Sequence, residues 1–242
     1  MGAGPGLGAA LARRFAAARF AIAIGARDGE RVAALASKIT AAGGQAFGAS
    51  VDAGDEASVT DFVARAERDL GPLEVAIHNP GSSPSTPLED GVFARGIKNS
   101  VLDLGGGDLE GAWRTICLGG LFLGREAARR MVARDHGTII FTGATASVRG
   151  SALFAGTAVA KAGLRALAQS MARELGPRGI HVAHVVIDGQ ILAPRYGELA
   201  ASRPPDALLD PAHIAEACVQ LHRQPRSAWS HEIDLRPWVE PF

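Results

Sequence analysis

Apolar residues follow two alternating rhythms along this chain. Short runs such as FAIAIGAR (20–27), LEVAIHN (73–79), GTIIFTG (137–143) and GIHVAHVVI (179–187) are almost continuously apolar, the pattern of strands buried on both faces. QAFGASVD (45–52) and, more weakly, HEIDL (231–235) add two more. Between them, apolar positions recur three to four residues apart: Val32, Leu35, Ala36 and Ile39; Val59, Phe62, Val63 and Ala66; Trp113, Ile116, Gly120, Leu123 and Ala127; Leu164, Leu167, Ala168 and Met171. That spacing lines up one face of a helix. Strands alternating with helices predict an α/β fold, a doubly wound parallel sheet covered on both sides, in a single domain over 1–242. Region 82–112 breaks the rhythm with Ser, Pro and the triplet Gly105-Gly106-Gly107. It reads as an insertion on the surface or a flap near a ligand.

Composition narrows the partners. The 25 basic and 25 acidic residues cancel, so the chain lacks the basic face that nucleic acid or an anionic membrane requires. The two cysteines, Cys117 and Cys218, are far apart and imply no disulfide framework, which fits a cytoplasmic setting. No apolar run has membrane-spanning length, and no secretory signal is visible. His181 and His184 fall on opposite faces of a strand. The seven histidines show no ligand spacing, so no metal site is expected.

The chain opens MGAGPGLGAALARRF, with Gly2, Gly4, Gly6 and Gly8 followed at once by a helical-looking stretch. Such a turn lets a pyrophosphate approach the backbone, while the helix start offers N–H groups and a positive dipole end. HNPG (78–81), the pair Val51-Asp52 and DGQI (188–191) follow downstream. With the glycine turn they resemble the short-chain dehydrogenase/reductase superfamily, whose motifs read TGxxxGxG, NNAG, Val-Asp and Pro-Gly-x-Ile/Val. The resemblance spans essentially the whole chain. It implies a dinucleotide held by Gly2, Gly4, Gly6, Leu7, Gly8, Asp52, Asn79, Gly81, Gly189 and Ile191. In that fold the first strand precedes the glycine turn and lies mid-sheet, but only Met1 stands before Gly2 here. The expectation is that residues upstream of Met1 supply the strand, with a rearranged sheet as the alternative.

The residue ending the second strand selects the cofactor in this family, a carboxylate there favouring NAD. Ala26 stands at that position and Arg27 follows. Loss of the carboxylate and a guanidinium suited to a 2′-phosphate point to NADP rather than NAD, although Asp28 next door could pair with Arg27. Aligned on the family's Tyr-x-x-x-Lys pattern, Lys161 is the lysine and Thr157 stands at the tyrosine. The serine position falls on Ala144, with Thr145 and Ser147 nearby, and the asparagine position on Cys117. The resemblance therefore implies a catalytic set of Lys161, Thr157 and Ser147, without the family's phenol. Tyr196, the one tyrosine, reads as a surface residue on the substrate loop, and Cys117 as a small buried hydrophobe. The expected function is NADP-dependent hydride transfer between the nicotinamide and a carbonyl or alcohol small molecule, with non-standard catalytic residues. The alternative is a cofactor-binding protein with little turnover, acting as a sensor or partner subunit. The small-residue helices around 109–131 and 155–174 imply, by the same resemblance, a homo-oligomer, either dimer or tetramer.

Overall fold

A computed structural model describes residues 1–81, 86–87, 93–94, 100–193 and 196–240. The elements run α1 (Leu7–Ala17), β1 (Ile22–Ala26), α2 (Gly29–Ala41), β2 (Ala46–Ser50), α3 (Glu56–Leu70), β3 (Val75–His78), β4 (Thr86–Pro87), β5 (Phe93–Ala94), α4 (Gly106–Trp113), α5 (Gly119–Val132), β6 (Gly137–Thr142), α6 (Ala155–Leu175), β7 (Ile180–Ile187), α7 (Gly197–Ala201), α8 (Pro211–Arg223) and β8 (Glu232–Leu235). Every strand of the main sheet is parallel to its neighbour. β1 pairs with β2, and β3, β6, β7 and β8 follow in that order. Register is fixed by pairs such as Val75 opposite Thr138, Gly137 opposite Ile180 and His184 opposite Glu232.

Burial on both faces explains the apolar runs. All six residues of β6 and all eight of β7 are buried. Ile139, Phe141, Ile180 and Val182 face the helices α3, α5 and α6 through Phe62, Leu123, Met131 and Leu164. Ile140, Ala183 and Val185 face α1 and α8 through Leu11, Phe15, Ile214 and Val219. The two histidines of β7 do point to opposite faces. His181 stacks on Trp229 with ring centroids 4.9 Å apart, and Nδ1 of His184 bonds Glu232 at 2.8 Å.

The sheet is not rearranged; it is interrupted. Between β1 and β3 runs a slot of about 520 Å³, walled by Ile22–Gly25 and Val75–Ile77, with Leu11 and Phe15 above and Phe62 and Val63 below. Only its C-terminal end is filled. The Met1 amino group donates to Ile77 O at 2.8 Å, and Asn79 N–H donates to Met1 O at 2.9 Å. On the other side Gly2 and Ala3 N–H groups both reach Gly25 O, at 2.8 and 3.2 Å. The chain start thus occupies the last rung of a central strand, parallel to both neighbours. Burial there pulls the Met1 amine down to about 5.

Much of region 82–112, namely 82–85, 88–92 and 95–99, lies outside the described residues. The glycine triplet needs a correction: Gly105 is the N-cap of α4, and Gly106 and Gly107 are its first turn rather than part of an irregular insertion. Burial of Ala112 against the core, together with Asp108 at the helix start, outweighs the poor propensity of the glycines. A five-residue π-helical stretch, Arg114–Leu118, joins α4 to α5 without a break.

Candidate active site

The glycine turn is shaped by close approach. Gly2 has φ +85°, and a Cβ on it would lie 2.5 Å from Asn79 C; a Cβ on Gly8 would lie 2.5 Å from Ala3 Cα. Neither position admits a side chain without moving backbone. Asn79 ties the turn down: its Nδ2 donates to Gly2 O at 3.0 Å, while its Oδ1 accepts from Thr142 Oγ1 at 3.1 Å. The N-cap of α1 is Gly6, so no side chain covers the helix start. Ala9 N–H bonds Gly4 O at 3.0 Å, and the N–H groups of Leu7 and Gly8 are left for an anion.

That helix start opens onto a cavity of about 550 Å³ at the C-terminal ends of β3, β6 and β7. Gly6 and Leu7 form one wall; Asn79, Pro80 and Gly81 form the next. Thr142 to Ala146 continue it from β6, Thr157 and Lys161 from α6, and Gly189 to Ile191 from the end of β7. Tyr196, Arg203 and Glu240 help to complete the lining. Of the residues named from sequence, Gly6, Leu7, Asn79, Gly81, Thr157, Lys161, Gly189 and Ile191 therefore share this one cavity. Gly2, Gly4 and Gly8 shape the turn behind it. Gly189 has φ +146°, and a Cβ there would meet Pro237 Cδ at 2.7 Å, so this backbone too requires glycine.

Lys161 is buried, and its Nζ donates to Thr142 O at 2.7 Å and to Pro80 O at 3.5 Å. Two carbonyls, not a carboxylate, hold it, and burial draws its pKa down to about 8. Thr157 lies one turn earlier on α6, also buried. Ser147 is different. It closes a short 3₁₀ turn, Thr145–Ser147, where its Oγ accepts from Ala144 N–H at 3.0 Å. It is buried and absent from the cavity wall, because the turn that follows β6 rotates it inward. Thr145 lines the wall instead.

Two further placements differ from the sequence reading. Tyr196 is only 5% exposed and lines the cavity, so it is not a surface residue. Asp188, read only as a departure from a motif proline, is 1% exposed. It accepts a hydrogen bond from Thr145 Oγ1, and its other oxygen lies 3.2 Å from Arg236. The sequence signal was available in DGQI: an acid beside a structural glycine where the family has proline.

At the sheet's other half, Arg27 and Asp52 follow the C-terminal ends of β1 and β2. Arg27 is exposed. Asp28 does not compete for it, because its carboxylate caps α2 at Arg31 N–H (3.0 Å) and pairs with Arg31 Nη1 (2.8 Å). Asp52 is partly engaged, Oδ1 accepting from Gly54 N–H at 2.8 Å. Cys117 sits in the π-helical stretch and turns toward α6, its Sγ 3.0 Å from where a Gly163 Cβ would be. It is half-buried rather than buried as the sequence suggested, and the burial it has raises its pKa, which disfavours a nucleophilic thiolate. His78 Nε2–H donates to Ile116 O at 2.8 Å, and burial pushes this imidazole down to about 3. Among the described residues no group of three His, Cys, Asp or Glu side chains could hold a metal, and no helix is long and apolar enough to cross a membrane.

Residues 1–192 match the family model described as short chain dehydrogenase. A short-chain reductase protein, NovJ of Streptomyces niveus, is 32% identical over 203 residues, covering 82% of this chain and 70% of its own length. An L-rhamnose 1-dehydrogenase (NAD(P)(+)) of Azotobacter vinelandii is 34% identical over 195 residues, 78% of this chain and 71% of that one. Among solved structures, a short-chain dehydrogenase from Rhodopseudomonas palustris is 40% identical and superposes with a TM-score of 0.80 over 98% of this chain and 96% of its own. A metagenomic short-chain oxidoreductase in complex with NADP has the same fold at 23% identity, with a TM-score of 0.79 over 97% and 93%.

Proposed function

The chain belongs to the short-chain dehydrogenase family of NAD(P)-dependent oxidoreductases, and on that premise we propose that it binds NADP(H) and exchanges a hydride with a carbonyl or alcohol small molecule. The observation that carries this reading is one cavity lined both by the uncapped start of α1 and by buried Lys161. The helix start and the Gly2–Gly8 turn would take the pyrophosphate. Asn79, Gly81, Gly189 and Ile191 would border the nicotinamide half, and Lys161 would hold its ribose. When bound, the nicotinamide gives or takes the hydride. The chain's own part is to hold donor and acceptor in line and to exclude water. Thr157 and Thr145 are among the hydroxyl residues that line this space, with Thr142, Ser151 and Tyr196. Titration of NADPH fluorescence, followed by NADPH oxidation over a carbonyl panel, tests the reading; absence of saturable binding would overturn it.

The preference for NADP rests on Arg27 at a strand end with no carboxylate, since Asp28 is already committed to Arg31. Replacing Arg27 by Ala is expected to weaken NADP(H) binding by about 1.5–3 kcal/mol, the value of a charge-assisted contact, and to leave NAD(H) binding nearly unchanged. Isothermal titration of both cofactors against both proteins measures this, and equal losses would show that Arg27 does not read the phosphate. A homo-oligomer, dimer or tetramer, is supported by half-exposed Trp113, Val148 and Val159 near α4 and the start of α6. Light scattering at micromolar concentration tests it. A cytoplasmic location fits the free cysteines.

A further inference from the structure

Where the family supplies a phenol, this cavity presents a hydroxyl already tied to a buried acid. Thr145 lines the cavity, and its Oγ1–H donates to Asp188 Oδ1. Asp188 is 1% exposed, and its second oxygen faces Arg236 at 3.2 Å, a guanidinium it shares with Asp234. The direction of the Thr145 bond decides what that hydroxyl can do. An ionised carboxylate only accepts, so the threonine proton is spoken for and its lone pairs are what remains for the cavity. Facing a carboxylate, such a hydroxyl receives a proton donor; facing a carboxylic acid, the same hydroxyl can pass a proton on.

We infer that Thr145 and Asp188 form a proton relay at the substrate oxygen, which takes the hydroxyl proton of an alcohol as it is oxidised and, by microscopic reversibility, returns it to a carbonyl as it is reduced. The inference rests on the function proposed above. The substrate O–H proton passes to Thr145 Oγ1 as the Thr145 proton passes to the Asp188 carboxylate. With NADP⁺ bound, the nicotinamide would accept the carbinol hydrogen as hydride while the C=O double bond forms, and Asp188 would afterwards return its proton to water. Arg236, shared with Asp234 and also within the field of Glu240, faces the second oxygen of the carboxylate and leaves the first to Thr145. Thr145 is the catalytic residue of this pair, because it alone would touch substrate; Asp188 is a positioning and proton-accepting residue behind it.

The first test needs no cofactor and no turnover. 2-Phenylpropan-2-ol, a tertiary alcohol with no transferable hydride, and its methyl ether are titrated by saturation-transfer NMR. The wild-type chain should bind the alcohol at least five-fold tighter than the ether. That preference should vanish in Thr145→Val and survive in Thr145→Ser. Equal binding of alcohol and ether, a preference that persists in Thr145→Val, or binding of neither would overturn the relay. The second test is oxidation of 1-phenylethanol with NADP⁺. Thr145→Val and Asp188→Asn should lose at least 100-fold in kcat with NADP⁺ affinity within two-fold of wild type, while Thr145→Ser stays within five-fold. Should Asp188→Asn fail to fold, the Thr145 pair decides alone. Loss in Thr145→Ser as large as in Thr145→Val would overturn the relay. Failure of NADP⁺ to bind would overturn the functional reading and leave the alcohol–ether comparison as the judge of the pair.

Discussion

The double variant Thr157→Tyr with Ala144→Ser is expected to reduce ketones with NADPH at least about 10²-fold faster than the natural chain, since a positioned acid contributes about 10²–10⁴-fold. Both positions line the cavity, and Lys161 lies one helical turn from residue 157, on the same face of α6. Buried and held by the carbonyls of Thr142 and Pro80, it is a fixed positive charge, and a phenol placed beside it would ionise more readily. A serine at 144 adds a donor to the carbonyl oxygen, which in other acyl and carbonyl sites is worth about 10²–10³-fold. The two gains should not multiply fully, because the groups act as a unit. Thr157→Tyr alone should therefore recover part of the rate. The opposing effect is crowding: Thr157 is 7% exposed and Tyr196 borders the same space. NADPH oxidation over a carbonyl panel, with cofactor affinity measured for each variant, gives the answer. An unchanged rate with intact binding would mean that the phenol does not reach the reacting oxygen.

Filling the slot between β1 and β3 is expected to have the largest effect on stability. Five apolar, strand-forming residues placed ahead of Met1 would pair with both unpaired edges and bury side chains among Leu11, Phe15, Phe62 and Val63. Burial is worth about 1.5–3 kcal/mol per side chain, against about 1–2 kcal/mol to order each residue, which leaves about 2.5–5 kcal/mol over five residues. At about 2–4 °C per kcal/mol for a chain of this size, Tm should rise by roughly 5–20 °C over a Gly/Ser extension of equal length. The Gly/Ser control isolates a second effect. The Met1 amine is depressed to about 5 from its usual 8.0, so between those values the unfolded chain holds a proton that the folded chain lacks. Stability of the 242-residue chain should accordingly climb with pH across that window, by about 1.4 kcal/mol per unit from this group. Either extension turns the amine into an amide and should remove that slope. His78 and His184 are also depressed by burial, but they are common to all three chains and cancel. Urea unfolding at pH 5.5 and 8 measures both effects; equal stability of the apolar and Gly/Ser extensions would mean the slot closes in solution.

Periodicity made the sheet legible because burial on both faces leaves a continuous apolar run, as β6 and β7 show. The glycine turn and Lys161 were legible because their chemistry is local: a close backbone approach, and a lysine at a fixed helical offset. What sequence could not give depends on where turns aim side chains. The sequence reading put Ser147 in the catalytic set, yet a three-residue 3₁₀ turn hides it and presents Thr145. Asp188 and Thr145 are 43 residues apart, joined only by the neighbouring ends of β6 and β7. Tyr196 reaches the cavity through the loop after β7, whose path no periodic pattern encodes. The widened turn at Arg114–Leu118 is likewise invisible to a search for residues three and four apart, because the apolar positions on either side of it still look helical.

That widened turn sets a phase. An α-helix advances about 100° per residue, and the π-helical stretch accommodates one residue beyond what a regular turn would hold. Its presence lets Ala112 and Ile116 on one side, and Leu123 and Ala127 on the other, all face the same core. It also leaves Ile116 O to accept from His78 rather than from the helix alone. Removing one residue from 114–118 would therefore let the stretch close into a regular turn, leaving α4 and α5 in phase and Ala112 and Leu123 on the same core. What would be lost is the carbonyl: Ile116 O would be drawn into the helix ladder, and buried His78 would lose its acceptor. The extra residue in this helix is spent on a partner outside it, so a deletion here would be felt at β3 before it was felt along the helix.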